Sequence, residues 1–149
     1  MRENLYRGKR KDTGEWLYGF YAFVANNKGL KHGIYTGAEN GCVIPFEVIP
    51  ETVGQYAVLI DKNGKKTFEG DICRVVYLDK WCDSNGKHYE VENAMIEEVV
   101  FEKGAFCFKT TIEGIPFYRP IGFDIYEKLK IKDFEVIGNI HDNPELLEV

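Results

Sequence analysis

Short runs of apolar and aromatic residues, each closed by Gly, Asn, Asp or Pro, follow one another along the 149 residues. Alternation with a period of two marks half-buried strands, and β-branched and aromatic side chains suit a pleated surface. On that pattern strands are expected at 4–7, 16–24, 30–35, 55–60, 65–68, 72–78, 88–101, 105–112 and 134–140, with 72–78 the clearest run. The last stretch sets Phe134, Val136, Gly138 and Ile140 against Glu135, Ile137 and Asn139, as a strand with one well-buried face does. Residues 42–50 are also apolar, but Pro45 and Pro50 remove ladder donors and assign the segment to an edge or a crossing. It marks the boundary between an N-terminal β-element, 1–53, and a main domain, 54–149. An open edge there would let two copies pair, so a homo-oligomer is expected.

Asn63-Gly64 and Asn85-Gly86 predict tight type I′ hairpin turns, and Lys103-Gly104 closes a third hairpin. Ile121, Ile125 and Leu129 recur at helical spacing behind Pro120 and predict one short helix. Asp142-Asn143 before Pro144 predicts a final helical turn. Many short strands, tight turns and at most one or two short helices define a mostly β fold, a small antiparallel barrel closed by the last strand.

Composition agrees with that class. The chain is 44% hydrophobic and 29% charged, as globular domains are, and its 14% aromatic content favours strands. A net charge of −5 argues against a surface built for long-range attraction to phosphate, leaving room only for a local basic patch. No run approaches the roughly 20 apolar residues of a membrane helix, and the start lacks the apolar core of a secretory signal, so a cytoplasmic location is expected. Cys42, Cys73, Cys82 and Cys107 contain no Cys-x-x-Cys pair and read as free thiols.

Three sets of strings, in order, carry a family likeness. The opening has Tyr6-Arg7-Gly8-Lys9 and Gly14-Glu15-Trp16-Leu17-Tyr18-Gly19. The middle has Pro50-Glu51-Thr52-Val53-Gly54-Gln55-Tyr56, Asp61-Lys62-Asn63-Gly64-Lys65 and Phe68-Glu69-Gly70-Asp71-Ile72. The close has Glu135-Val136-Ile137-Gly138-Asn139-Ile140 and Asn143-Pro144-Glu145-Leu146-Leu147. Together they resemble the YopX family of phage and prophage proteins. His141 stands where that family has Tyr, and Ala57-Val58 where Thr-Gly is commoner. The resemblance implies an SH3-like barrel for the C-terminal part and a phage or prophage origin in a bacterial host. It implies no activity and carries over no catalytic residue.

Among candidate sites, Glu51, Asp61, Glu69 and Asp71 have the chemistry for a magnesium ion or for acid and base work in a metal-dependent hydrolase. The competing reading, that Asp opens turns by bonding its own backbone, is favoured. His32, His88 and His141 stand beside no nucleophile, and no ligand spacing supports a metal or cofactor. Arg7, Lys9, Arg10 and Lys11, with Tyr6 and Trp16 alongside, form a candidate single-stranded nucleic-acid patch, against a plain solvated turn. Thr52, Gly54, Gln55 and Tyr56 form an uncharged string in a turn, either a packing corner or the contact for a phage or host protein. The leading expectation is a non-enzymatic protein-binding module. Nucleic-acid binding is second and a hydrolase third.

Overall fold

A computed structural model describes residues 4–37, 45–121 and 129–148 of the chain. They form two compact units, 1–58 and 59–149. The fold is mostly β, as the alternation requires.

Unit 1 contains β1 (Tyr6–Lys9), β2 (Trp16–Asn26), β3 (Gly29–Tyr35), β4 (Pro45–Glu47) and the first part of β5 (Gly54–Ile60), in the order β4-β3-β2-β1-β5. All these pairings are antiparallel. Ile34 and Val48 are fully enclosed. Gly8 lies against Val48, where a Cβ would come within 3.2 Å.

Within the segment 42–49, β4 is an edge strand, as its proline requires, and from Glu47 onward that edge is occupied. Lys11 N–H donates to Glu47 O at 3.0 Å and Ile49 N–H to Lys9 O at 2.8 Å, so the chain beyond β4 bridges back to the end of β1. Pairing of two copies along that edge therefore loses its basis from Glu47 onward. Residues 42–44 lie outside the described set, as do 122–128, which hold Ile125 of the expected helix.

Unit 2 continues from the end of β5 through β6 (Lys66–Phe68), β7 (Asp71–Cys82), β8 (His88–Glu102), β9 (Ala105–Ile112), β10 (Ile115–Pro120) and β11 (Leu129–Asn139). Five strands make an antiparallel sheet in the order β10-β9-β8-β7-β11. The last strand therefore sits at an edge beside β7, and among the described residues the sheet is open, where a closed barrel was expected. The core gathers Cys73, Val75, Tyr77, Val99, Phe108 and Val136 on one face of the sheet. Ile72 and Val76, on the other face of β7, are buried too. The final turn, Pro144–Leu147, is a 3-10 turn whose Asn143 makes no side-chain cap bond.

The turns differ from expectation in an instructive way. In Asp61–Gly64 and Asp83–Gly86 only the glycine has positive φ (82° and 77°). In each, the Asp Oδ1 accepts the N–H groups two and four residues on, at 2.9–3.0 Å. This Asx device fixes a type I turn followed by a left-handed glycine, and it overrides the I′ preference of Asn-Gly. The true I′ geometry occurs at Lys103-Gly104 (φ 49° and 84°) and Glu113-Gly114 (φ 50° and 79°), where no Asp stands ahead of the glycine.

Candidate functional site

The basic turn of unit 1 is largely neutralised. Arg10 donates to Asp12 through Nε at 2.9 Å and Nη2 at 2.7 Å, a bidentate pair that raises the arginine pKa and lowers the aspartate's. Lys11 Nζ reaches Glu47 at 3.1 Å, and this bond holds the Glu47 carboxyl below its usual range despite some burial. These side chains, with Pro45 and Phe46, line a shallow cleft of about 260 Å³. Arg7 and Lys9 point elsewhere. The Arg7 guanidinium lies 4.7 Å and Lys9 Nζ 5.4 Å from the centre of the Trp16 ring. The expected four-residue patch is thus split between a paired turn and an aromatic face.

The uncharged string is a packing corner. Thr52, Gly54 and Tyr56 are buried and Gln55 is half-buried. Thr52 Oγ1 donates to Ile49 O at 2.6 Å and accepts the Lys9 N–H at 2.9 Å, which ties the 3-10 turn Pro50–Thr52 to β1. Expected as partner contacts, Thr52, Gly54 and Tyr56 have little surface to offer.

Of the four acidic turn residues, Asp61 and Asp71 hold turns, whereas Glu51 is exposed and Glu69 half-buried. Asp61 is 5% exposed. Burial alone would raise its pKa, but the N–H groups of Val136 (3.0 Å), Lys65 and Asn63 (both 2.9 Å) outweigh that and hold it low. Asp71, 1% exposed, accepts the Phe68 N–H at 2.8 Å. The closing string works similarly: Asn139 Oδ1 accepts the N–H groups of His141 and Asp142, both at 3.0 Å, and Gly138 leaves room for Asn143 and Leu146. Among the described residues no group of three or more His, Cys, Asp and Glu is placed to hold a metal ion, and no helix is long and apolar enough to cross a membrane.

The model of the YopX protein family matches residues 5–148 of the chain. The chain belongs to the YopX family. No curated protein matches it. Among solved structures it is similar to protein EF1440 from Enterococcus faecalis, at 20% identity over 99% of each chain and a TM-score of 0.48. In this YopX-family chain Val58 has a φ of 60°, the left-handed region that suits glycine and strains a β-branched residue.

The features missed from the sequence lie in β7 to β10 of this YopX-family chain. Glu97, on β8, is completely buried. Its carboxylate accepts from Tyr77 Oη on β7 and pairs with Arg119 Nη2 on β10, while Arg119 Nε donates to Tyr77 Oη at 3.0 Å. The guanidinium carbon also lies 4.8 Å from the Tyr77 ring centre. Burial pushes the Tyr77 hydroxyl pKa up, even though Arg119 works against it. The three groups satisfy one another and close the core.

Beyond this cluster the same face becomes open and apolar. Ile112 pairs with Ile115 and Phe108 with Arg119, so alternation sets Ile112, Ile115 and Phe117 on the face of Arg119. They are 50%, 59% and 47% exposed. β10 is an edge strand that prolines blunt. Ile121 N–H donates to Phe106 O at 2.9 Å, so the odd-numbered amides of β10 point into the sheet and positions 116, 118 and 120 point out. Pro116 and Pro120 hold two of those three positions. Only Tyr118 offers an N–H along that edge, so another strand finds almost no donors.

Proposed function

We propose that this chain is a non-enzymatic accessory protein of phage or prophage origin, acting in the cytoplasm of a bacterial host, that binds another protein through the β9–β10 hairpin. The observation carrying this reading is the run of half-exposed Ile112, Ile115 and Phe117 on one face of the hairpin. An aromatic anchor among aliphatic side chains is the composition of an interface centre. Because Pro116 and Pro120 obstruct strand addition, recognition runs through side chains rather than backbone pairing. The aspartates considered for hydrolysis support the same reading, since Asp61 holds its turn with both oxygens and Asp71 accepts the Phe68 N–H.

A photo-reactive residue placed at Phe117, in the chain expressed in phage-infected host cells, is expected to give one discrete adduct with a phage or host protein. The same probe at exposed Val58 is expected to give none. The purified partner should then bind the unmodified chain at least about ten-fold more tightly than the Phe117→Ala variant, the loss of one central anchor. Indistinguishable adduct patterns from the two positions, or equal affinities, would remove the hairpin from the interface.

A further inference from the structure

Unit 2 carries a second surface, the backbone edge of β8, and it is independent of the hairpin. Asp83 N–H donates to Lys87 O at 3.0 Å and Gly70 N–H to Val99 O at 2.8 Å, so at both ends of β8 the odd-numbered backbone groups face β7. The register between those ends is continuous, from Ile72 opposite Glu98 to Cys82 opposite His88. Even-numbered groups therefore face the other edge. There β9 pairs with residues 98–102 and goes no further along β8. Among the described residues no strand meets the amides and carbonyls of Glu90, Glu92, Ala94 and Ile96.

A row of outward backbone donors and acceptors calls for another strand, and the rest of unit 2 shows how such edges are otherwise closed. β10 carries Pro116 and Pro120, and β11 has register shifts between Ile131 and Asp133 and between Val136 and Gly138. β8 has neither device, and residues 90–94 are exposed on both faces of the strand. Among the described residues, neither β11 nor β9 flanks 80–90, which stand as a two-stranded ribbon, an arrangement marginal in water until a further strand joins it. Charge selects that strand. The carboxylates within 90–96 are already paired, Glu90 with Lys80 at 3.1 Å and Glu92 with Lys132. A twofold axis at Asn93 sets Glu90 opposite Ile96 and Glu92 opposite Ala94 of a second copy, and Val91, 45% exposed, opposite its Met95. An axis at Val91 or at Glu92 would instead oppose Glu90 to Glu92 or Glu92 to itself, which like charges disfavour. β8 is thus complementary to its own antiparallel copy, and a twofold closes the assembly at two chains.

We propose that β8 pairs antiparallel with β8 of a second copy around a twofold axis at Asn93, so that two chains join by backbone hydrogen bonds through residues 90–96. The seam differs from the 42–49 edge that the sequence suggested, which is occupied from Glu47 onward. It leaves the β9–β10 hairpin of each copy to its own partner.

Sedimentation equilibrium of the purified full chain is expected to give a mass that rises with concentration to that of two chains and stops there. Ala94→Pro should weaken this association by at least about ten-fold, because symmetry removes two hydrogen bonds at once. The Ala94 N–H points away from β7, so the β7–β8 ladder keeps its bonds and an unchanged melting curve verifies the fold. In a Cys42→Ser, Cys82→Ser background, Asn93→Cys should form a disulfide-linked dimer with copper–phenanthroline as oxidant, since opposed Cα atoms of such a non-hydrogen-bonded pair lie about 4.5 Å apart. Lys66→Cys, an exposed position on β6, should give no covalent dimer under the same treatment. Phe117→Ala should leave self-association unchanged, which separates the seam from the hairpin reading. A monomeric mass at every concentration, full association in a folded Ala94→Pro variant, or equal cross-linking at Asn93 and Lys66 would overturn the proposal.

Discussion

Replacing Arg119 by alanine should destabilise the protein far more than its place near the end of an edge strand suggests. The guanidinium is the cationic partner of Glu97, whose side chain has no exposed surface, and it also donates to Tyr77 Oη. Removing one member of a buried pair leaves the other as an uncompensated charge in the core, at a cost of about 3–5 kcal/mol. Arg119 is itself 29% exposed, so water can partly fill its place and the lower end, about 3 kcal/mol, applies. For a cooperative unit the size of residues 59–149, each kcal/mol moves the midpoint by about 4–8 °C, so a fall of about 12–24 °C is expected. Calorimetry at neutral pH measures it directly. The triple variant Tyr77→Phe, Glu97→Met, Arg119→Met removes the charges and the hydroxyl together and should recover most of the loss, because apolar groups of similar volume replace buried pairs at little cost. An Arg119→Ala midpoint within about 2 °C of the parent would refute the role of the cluster. A triple variant no more stable than the single one would refute the electrostatic explanation.

Other consequences can be checked independently. Val58→Gly should stabilise by about 1 kcal/mol, read as a rise in denaturation midpoint, because relief of left-handed strain exceeds the entropy cost of glycine. The Asp61 carboxyl has a folded pKa below its unfolded value of about 3.9, so its stabilisation is complete above that value and is lost as pH falls through the folded pKa. The stability gap between the parent and Asp61→Asn, followed by urea titration, should therefore narrow below about pH 4, and a gap that is constant with pH would contradict it. In a Cys42→Ser background a thiol reagent should label exposed Cys82 at once. Buried Cys73 should react only on unfolding, as should buried Cys107, whose thiol pKa burial raises. Pro116→Thr together with Pro120→Thr would restore two outward donors to β10 and should produce concentration-dependent association beyond two chains by light scattering, which the parent edge resists.

Strand positions were largely legible because a period of two and Gly-containing turns report local geometry. Thus β7 and β8 fall where 72–78 and 88–101 were expected, each extended by residues whose partners lie across the hairpin: Trp81 stacks on Tyr89 at 4.3 Å, a contact no single strand reveals. β10, which holds Pro116 and Pro120, was missed. On an edge they are compatible with a strand, and being an edge is a property of the sheet order. For the same reason alternation predicted a last strand but not that β11 would pair with β7 and leave the sheet open.

The family strings and the candidate surfaces divide along a physical line. Asp61, Thr52, Asp71 and Asn139 satisfy backbone groups within turns that they create, and such residues must recur in recognisable strings because the turn dictates both identity and spacing. The signature therefore specifies how this fold turns its corners and stays silent about what the faces between the corners bind. Ile112, Ile115 and Phe117 on the hairpin, and residues 90–96 on β8, gain meaning only from register, which sets the first on one face and leaves the second without a neighbouring strand. Glu97 is the sharpest case: in sequence it precedes Glu98 on a long polar strand, and only the partners on β7 and β10 convert it from a solvated acid into the buried centre of unit 2.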